Sequence, residues 1–98
     1  MELVEIKRIA IPACEEFGVK RLDVFGSVAM GSDDENSDLD FLVEFDEPDR
    51  MPAKRFFGLL HHFEDAFGRP VDMLTASSLK NPYLRRRILA QRKAIYER

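Results

Sequence analysis

The run Asp38 to Phe45 (DLDFLVEF) constrains the fold more than any other stretch of the 98 residues. It is apolar at Leu39, Phe41, Leu42, Val43 and Phe45, the clearest strand in the chain. It nevertheless opens on two aspartates. Alternate strand residues point to the same face, so Asp38 and Asp40 lie side by side, roughly 6.6 Å apart along the backbone. Two like charges at the head of an apolar strand repel each other and need a reason. A solvated strand end is one. The sharper one is a shared hard cation, whose preferred ligands are carboxylate oxygens. Two Mg²⁺ ions about 3.5–4 Å apart fit such a pair and activate an in-line phosphoryl displacement.

The segments around this strand set the architecture. Leu3, Ile6, Ile9, Ala10, Cys14 and Phe17 recur at helical spacing, and Gly18 is a good C-cap. Pro12 falls inside this helix and is expected to kink or interrupt it. Arg21 to Phe25 (RLDVF) alternates as a short strand and gives way to Gly26-Ser27 and one helical turn closed by Gly31. Ser32 to Ser37 is a polar loop. Phe56, Leu59, Leu60, Phe63 and Phe67 predict an amphipathic helix ended by Gly68. Val71 to Leu74 is a third short strand. Asn81-Pro82 reads as an N-cap with proline at the first helical position, opening a last helix with Leu84, Ile88 and Ile95 inward. The order α-β-turn-β-α-β-α implies an α/β (α+β) fold, a small mixed sheet of three or more strands packed against helices.

Length and charge narrow the function classes. Ninety-eight residues suit one domain, residues 1–98, with a single core. No stretch approaches the ~18 apolar residues of a membrane span, and MELVEIKR lacks the apolar core of a signal peptide. A lone cysteine, Cys14, excludes an internal disulfide and suits a reducing cytoplasm. The net charge of −3 argues against direct nucleic-acid binding. That mean hides a split: residues 1–78 carry eight Lys/Arg and seventeen Asp/Glu, residues 79–98 seven Lys/Arg and only Glu97.

Two further features join Asp38 and Asp40. Gly26-Ser27 lies at a strand-to-helix junction, where glycine permits close approach and the free N–H groups with the serine hydroxyl suit a phosphate. By itself it is equally an ordinary turn. Asp72 stands between Val71 and Met73 in the third strand. If that strand lies beside Asp38 to Phe45, Asp72 completes a three-carboxylate cluster, ligates a metal and accepts the proton of an attacking hydroxyl.

Phe25-Gly26-Ser27, ten residues, then Asp38-Leu39-Asp40 resembles the Gly-Ser-x10-Asp-x-Asp motif of the nucleotidyltransferases of the DNA polymerase β superfamily. The third carboxylate of that motif stands on a later strand, as Asp72 does. Length and element order resemble the minimal nucleotidyltransferases, the MNT family. The resemblance implies the nucleotidyltransferase fold, with Gly26 and Ser27 holding the triphosphate of ATP and Asp38, Asp40 and Asp72 binding Mg²⁺. It implies attack on the α-phosphorus with Asp72 helping to deprotonate the acceptor. It further implies an MNT-type antitoxin that hetero-oligomerises with a HEPN ribonuclease toxin and transfers AMP to one of its tyrosines. A binding antitoxin that masks its toxin without transfer is the alternative, as is transfer to a small molecule. Many relatives carry basic residues where this chain has Val28 and Met30, so phosphate charge must be met by Mg²⁺, backbone N–H groups or distant Arg and Lys.

Other candidates are weaker. Asp33, Glu35, Ser37 and Glu44 mimic calcium-loop positions one, three, five and twelve, but Asp38 replaces the required glycine and begins a strand. His61 and His62 lie about 100° apart on a helix and share no face for a metal. Cys14 sits on the apolar stripe with no cation nearby, as a small buried hydrophobe. Arg85, Arg86, Arg87, Arg92 and Lys93 span several helix faces. They form a solvated helix end, or send one or two side chains to the nucleotide or to an acidic partner.

Overall fold

The computed structural model describes all 98 residues. Helix α1 (Leu3–Phe17) leads into strand β1 (Val19–Phe25), the single-turn helix α2 (Gly26–Met30) and strand β2 (Leu39–Phe45). Helix α3 (Pro52–Phe67), strand β3 (Val71–Thr75), a 3-10 turn (Ala76–Ser78), helix α4 (Pro82–Gln91) and strand β4 (Lys93–Glu97) follow. The four strands form one mixed sheet in the order β3-β2-β1-β4, with β2 and β3 parallel and both other pairings antiparallel.

The alternation along β2 divides the molecule into two layers. Leu39, Phe41 and Val43 join Ile6, Ala10 and Cys14 of α1 and Leu59 and Phe63 of α3 in the main core. The rings of Phe41 and Phe63 meet at 5.0 Å, within the range of favourable aromatic packing. Leu42 points to the other face, where Phe25, Leu79 and Ile88 form a cluster of four buried residues. That face is thinly covered, because α4 buries Ile88 alone. The side chains that alternate with the main core, Asp40 among them, therefore lie on the lightly covered face.

The expected helix stops hold. Gly18 and Gly68 both adopt left-handed φ, 71° and 66°, and close α1 and α3. The Asn81 side chain accepts from the N–H groups of Tyr83 (2.9 Å) and Leu84 (3.3 Å), as an N-cap should. Two expectations fail. Pro12 does not interrupt α1, which runs unbroken across it. Pro12 is exposed, so the carbonyl deprived of its intrahelical donor faces water rather than the core. The last helix ends at Gln91, and Lys93–Glu97 pairs with β1 as a fourth strand. Ile95 is buried as expected, but from a strand, and Leu84 is exposed.

Two buried charged groups fasten the ends of the sheet. Asp23 of β1 accepts through Oδ2 from Arg21 (2.9 Å) and from Arg92 (3.3 Å), and Arg21 also donates to Glu97 of β4 (2.7 Å). This network ties the exit of α4 to β1 and β4. Arg55 of α3 donates to five main-chain carbonyls: Phe17 and Gly18 at the end of α1, and Asp46, Glu47 and Arg50 in the loop after β2. Its guanidinium also lies 4.8 Å from the centre of the Phe45 ring, a cation–π distance.

Candidate active site

The parallel register of β2 and β3 sets Asp72 directly opposite Asp40. Neighbouring strands are about 4.8 Å apart, so the two carboxylates stand as near neighbours on the lightly covered face. Asp38 lies one residue before β2, near enough for its charge to act on Asp40. Asp38 and Asp72 are exposed and Asp40 half-buried, which gives the corner a recessed central acid with an open acid on either side.

Electrostatics mark Asp40 as the strained member. Its carboxyl is pushed up to about 6, first by burial, then by the negative charges of Asp72 and Asp38. Asp40 thus sits against two negative charges with no cation beside it, an opposition that a divalent ion removes. The three acids supply carboxylate oxygens, a donor set that suits a hard ion such as Mg²⁺. The structure does not draw the three carboxylates into a closed metal-ligating group. The pairing of β2 with β3 fixes the register of Asp40 on Asp72.

Gly26 has a more specific duty than the sequence suggested. Phe25, its neighbour, pairs with Asp40 across β1 and β2, and Gly26 has φ 72°. A Cβ added at Gly26 would collide with Asp40 Oδ2 and stand 3.1 Å from its Cγ. The missing side chain therefore leaves room for the Asp40 carboxylate, and the left-handed φ turns the chain into α2. Ser27 follows, half-buried, and its carbonyl accepts from the Ser32 N–H at 2.9 Å to close the turn. Since α2 has five residues, it presents the N–H groups of one turn rather than the dipole of a long helix.

The polar loop before Asp38 is held from both sides. The Met1 amine lies 2.8 Å from Asp33, whose carboxyl it keeps below the usual range, and Arg69 donates to the Ser37 carbonyl at 3.2 Å. Within the loop, Asp34 receives the Asn36 N–H at 2.8 Å. Asp33 and Asp34 thus serve the loop's own structure, in keeping with the rejection of a calcium loop.

The remaining candidates fall where their chemistry places them. Cys14 is fully buried, and burial, with a smaller push from Glu15, raises its thiol to about 12, so it stays protonated. His61 and His62 are both exposed, and the His62 ring lies 6.1 Å from that of Phe17. Sequence reasoning missed Arg55 and Asp23. Arg55 precedes Leu59 and Phe63 by four and eight residues, so it shares their buried stripe. Asp23 stands between Leu22 and Val24 with Arg21 two residues away, a pattern that marks a buried acid with a local partner.

A family model for the nucleotidyltransferase domain matches residues 6–95. The chain is 42% identical over 89 residues to an assigned protein adenylyltransferase of Methanocaldococcus jannaschii, covering 91% of this chain and 92% of that one. A solved structure assigned as a minimal nucleotidyltransferase superposes with a TM-score of 0.78 at 32% identity, covering 95% of each chain. A chain of the complex between an MNT antitoxin and the tri-AMPylated HEPN toxin of Shewanella oneidensis shares the fold, with a TM-score of 0.71 at 16% identity over 99% of this chain and 74% of that one.

Proposed function

From the premise that this chain belongs to the nucleotidyltransferase domain family and is a nucleotidyltransferase, we propose that it transfers AMP from ATP to a tyrosine of a partner HEPN-domain ribonuclease toxin. The 98 residues are read as one such domain, an antitoxin that works in the cytoplasm within a hetero-oligomer and does not itself bind nucleic acid. The observation that carries this reading is the register of Asp40 on Asp72, with Asp38 beside them and Gly26 clearing the space. No helix is long and apolar enough to cross a membrane.

Asp38, Asp40 and Asp72 are the residues that would hold Mg²⁺. When bound, Mg²⁺ neutralises phosphate charge and orients the triphosphate for in-line attack. Gly26 and Ser27 receive the phosphates through the N–H groups of the turn and the serine hydroxyl. Asp72, exposed at its strand position, accepts the proton of the tyrosine hydroxyl as its oxygen bonds to the α-phosphorus. The bond from the α-phosphorus to the bridging oxygen breaks, and pyrophosphate leaves. An AMP group on the toxin blocks RNA by negative charge and by volume.

One observation favours masking without transfer: Val28 is buried and Met30 exposed, so neither supplies a cation to a triphosphate on the turn. Transfer to a small molecule has no such support. Incubating the chain with ATP, Mg²⁺ and the HEPN-domain protein, then fragmenting the toxin peptides, separates the readings. AMP on a tyrosine upholds transfer; a tight complex with no AMP on any peptide upholds masking.

A further inference from the structure

We propose that Arg69 is a positioning residue for the acidic corner: with the Pro70 carbonyl it clamps the backbone on both sides of Asp38 and so fixes the place of Asp38 relative to Asp72. This rests on the reading of the three acids as a Mg²⁺ site. Asp40 and Asp72 need no such help, because the pairing of β2 with β3 holds them in register. Asp38 lies at the end of the polar loop, beyond Leu39, the first paired residue of β2. Its two neighbours in the chain are held instead. The Ser37 carbonyl accepts from Arg69 Nη1 at 3.2 Å, and the Leu39 N–H donates to the Pro70 carbonyl at 3.1 Å.

The segment that does the clamping is stiff. Proline at position 70 has its own φ fixed by its ring and confines the residue before it, Arg69, to extended backbone. The Arg69 side chain is only 15% exposed, and its guanidinium lies 3.9 Å from Asp33 Oδ2. That carboxylate holds the cation against the loop, where a second, longer contact reaches the Asp34 carbonyl at 3.5 Å. The loop end has little slack of its own. The Ser37 N–H donates to the Asp34 carbonyl at 3.1 Å, and the Asp34 N–H donates to the Ser37 hydroxyl oxygen at 3.0 Å.

Arg69 and Pro70 stand three and two residues before Asp72. The residues that lead into the strand of one acid therefore hold the loop end that carries another. Groups that orient a metal ligand without touching the ion are worth roughly 10–100-fold in metal affinity when they are removed. Arg69 fits that role, since it grips the carbonyl next to Asp38 rather than any of the three carboxylates. A role confined to stability would lower Tm and leave the affinity for an ion alone.

The test uses the whole chain and Mn²⁺, a hard ion whose free form is read by electron paramagnetic resonance. Nucleotide is left out, and the temperature is one at which circular dichroism shows each variant folded. Arg69→Met keeps the aliphatic stem and removes the donors, whereas Arg69→Lys keeps a charged donor. Arg69→Met should weaken Mn²⁺ binding about tenfold, and Arg69→Lys should recover most of that loss. The Mg²⁺ concentration for half-maximal AMP transfer should rise by the same factor, with the rate at saturating Mg²⁺ unmoved. If Arg69→Met does not fold, Arg69→Gln takes its place with the same outcomes. A lowered Tm with Mn²⁺ affinity untouched makes Arg69 a structural residue and overturns the inference, as does a wild type that binds no Mn²⁺; AMP transfer by wild type in either case leaves the activity standing. Affinity lost and recovered as stated, with no AMP transferred even by wild type, upholds the clamp and removes the activity.

Discussion

Two charged groups near opposite ends of β2 are handled in contrary ways. At its C-terminal end, the Arg55 guanidinium is buried and meets five carbonyl oxygens. At its N-terminal end, Asp40 is half-buried and meets other acids, and its carboxyl is driven up to about 6. Burying a charge is costly unless it is paired and hydrogen-bonded. The Arg55 end satisfies that condition within the chain and so reads as structure. The Asp40 end leaves it to something from outside, which is how a site for a metal and a phosphorylated substrate reads.

The largest effect separating the two ends should be on catalysis. Asp38→Asn or Asp40→Asn removes charge from the proposed metal site, and AMP transfer should fall by roughly a thousandfold or more while the circular dichroism spectrum stays wild type. Normal transfer by either variant breaks the comparison at its catalytic end. Arg55→Ala should instead act on stability. It orphans carbonyls at the end of α1 and in the loop after β2, costing about 3 kcal/mol and lowering Tm by roughly 12–24 °C for a domain this size. A calorimetric scan that shows no drop would mean water replaces the guanidinium.

Gly26→Ala sharpens the contrast, because it should affect both properties. The left-handed φ costs about 1–2 kcal/mol, and the methyl pushes the Asp40 carboxylate from its place, so transfer falls even at temperatures where the variant is folded. Single-turnover transfer at 15 °C beside a thermal melt reads the two effects separately.

The smallest effect is on pH dependence. The Asp40 carboxyl titrates at about 6 folded against 3.8 as its ordinary value. The stability contributed by its protonated form is complete below 3.8 and is lost as pH rises through about 6. Without metal, Asp40→Asn should therefore melt a few degrees above wild type at pH 7.5, with the gap closing below pH 4. Mg²⁺ at pH 7.5 should raise the wild-type Tm and leave that of Asp40→Asn nearly unmoved. Equal melting at all pH values would show that neither burial nor its acidic neighbours penalise the Asp40 charge.

The acidic end of β2 was far more legible in the sequence than the Arg55 end. Asp38 and Asp40 announce themselves because a period of two puts both on one face of an otherwise apolar strand. Asp72 is conspicuous between Val71 and Met73, although only the parallel pairing of β2 with β3 sets it opposite Asp40. Gly26 was legible as a position needing no side chain, but its neighbour is Asp40 rather than a ligand alone. Arg55 was illegible because its partners are main-chain carbonyls from two distant segments, which no side-chain pattern encodes. The fourth strand was hidden by a coincidence of spacing: Ile88 and Ile95 are seven apart, which fits two helical turns, while Ile95 is in fact buried from β4. Pro12 misled because its cost depends on which face of α1 it occupies.

AMP transfer to a protein is the role proposed for the Asp38, Asp40 and Asp72 corner. Its most direct test is the intact mass of the HEPN-domain partner after incubation with ATP and Mg²⁺, beside the wild-type chain or Asp40→Asn. The mass should rise in whole steps of one AMP with wild type and not at all with Asp40→Asn. A partner that binds the wild-type chain yet gains no mass, or gains it equally with Asp40→Asn, would contradict it.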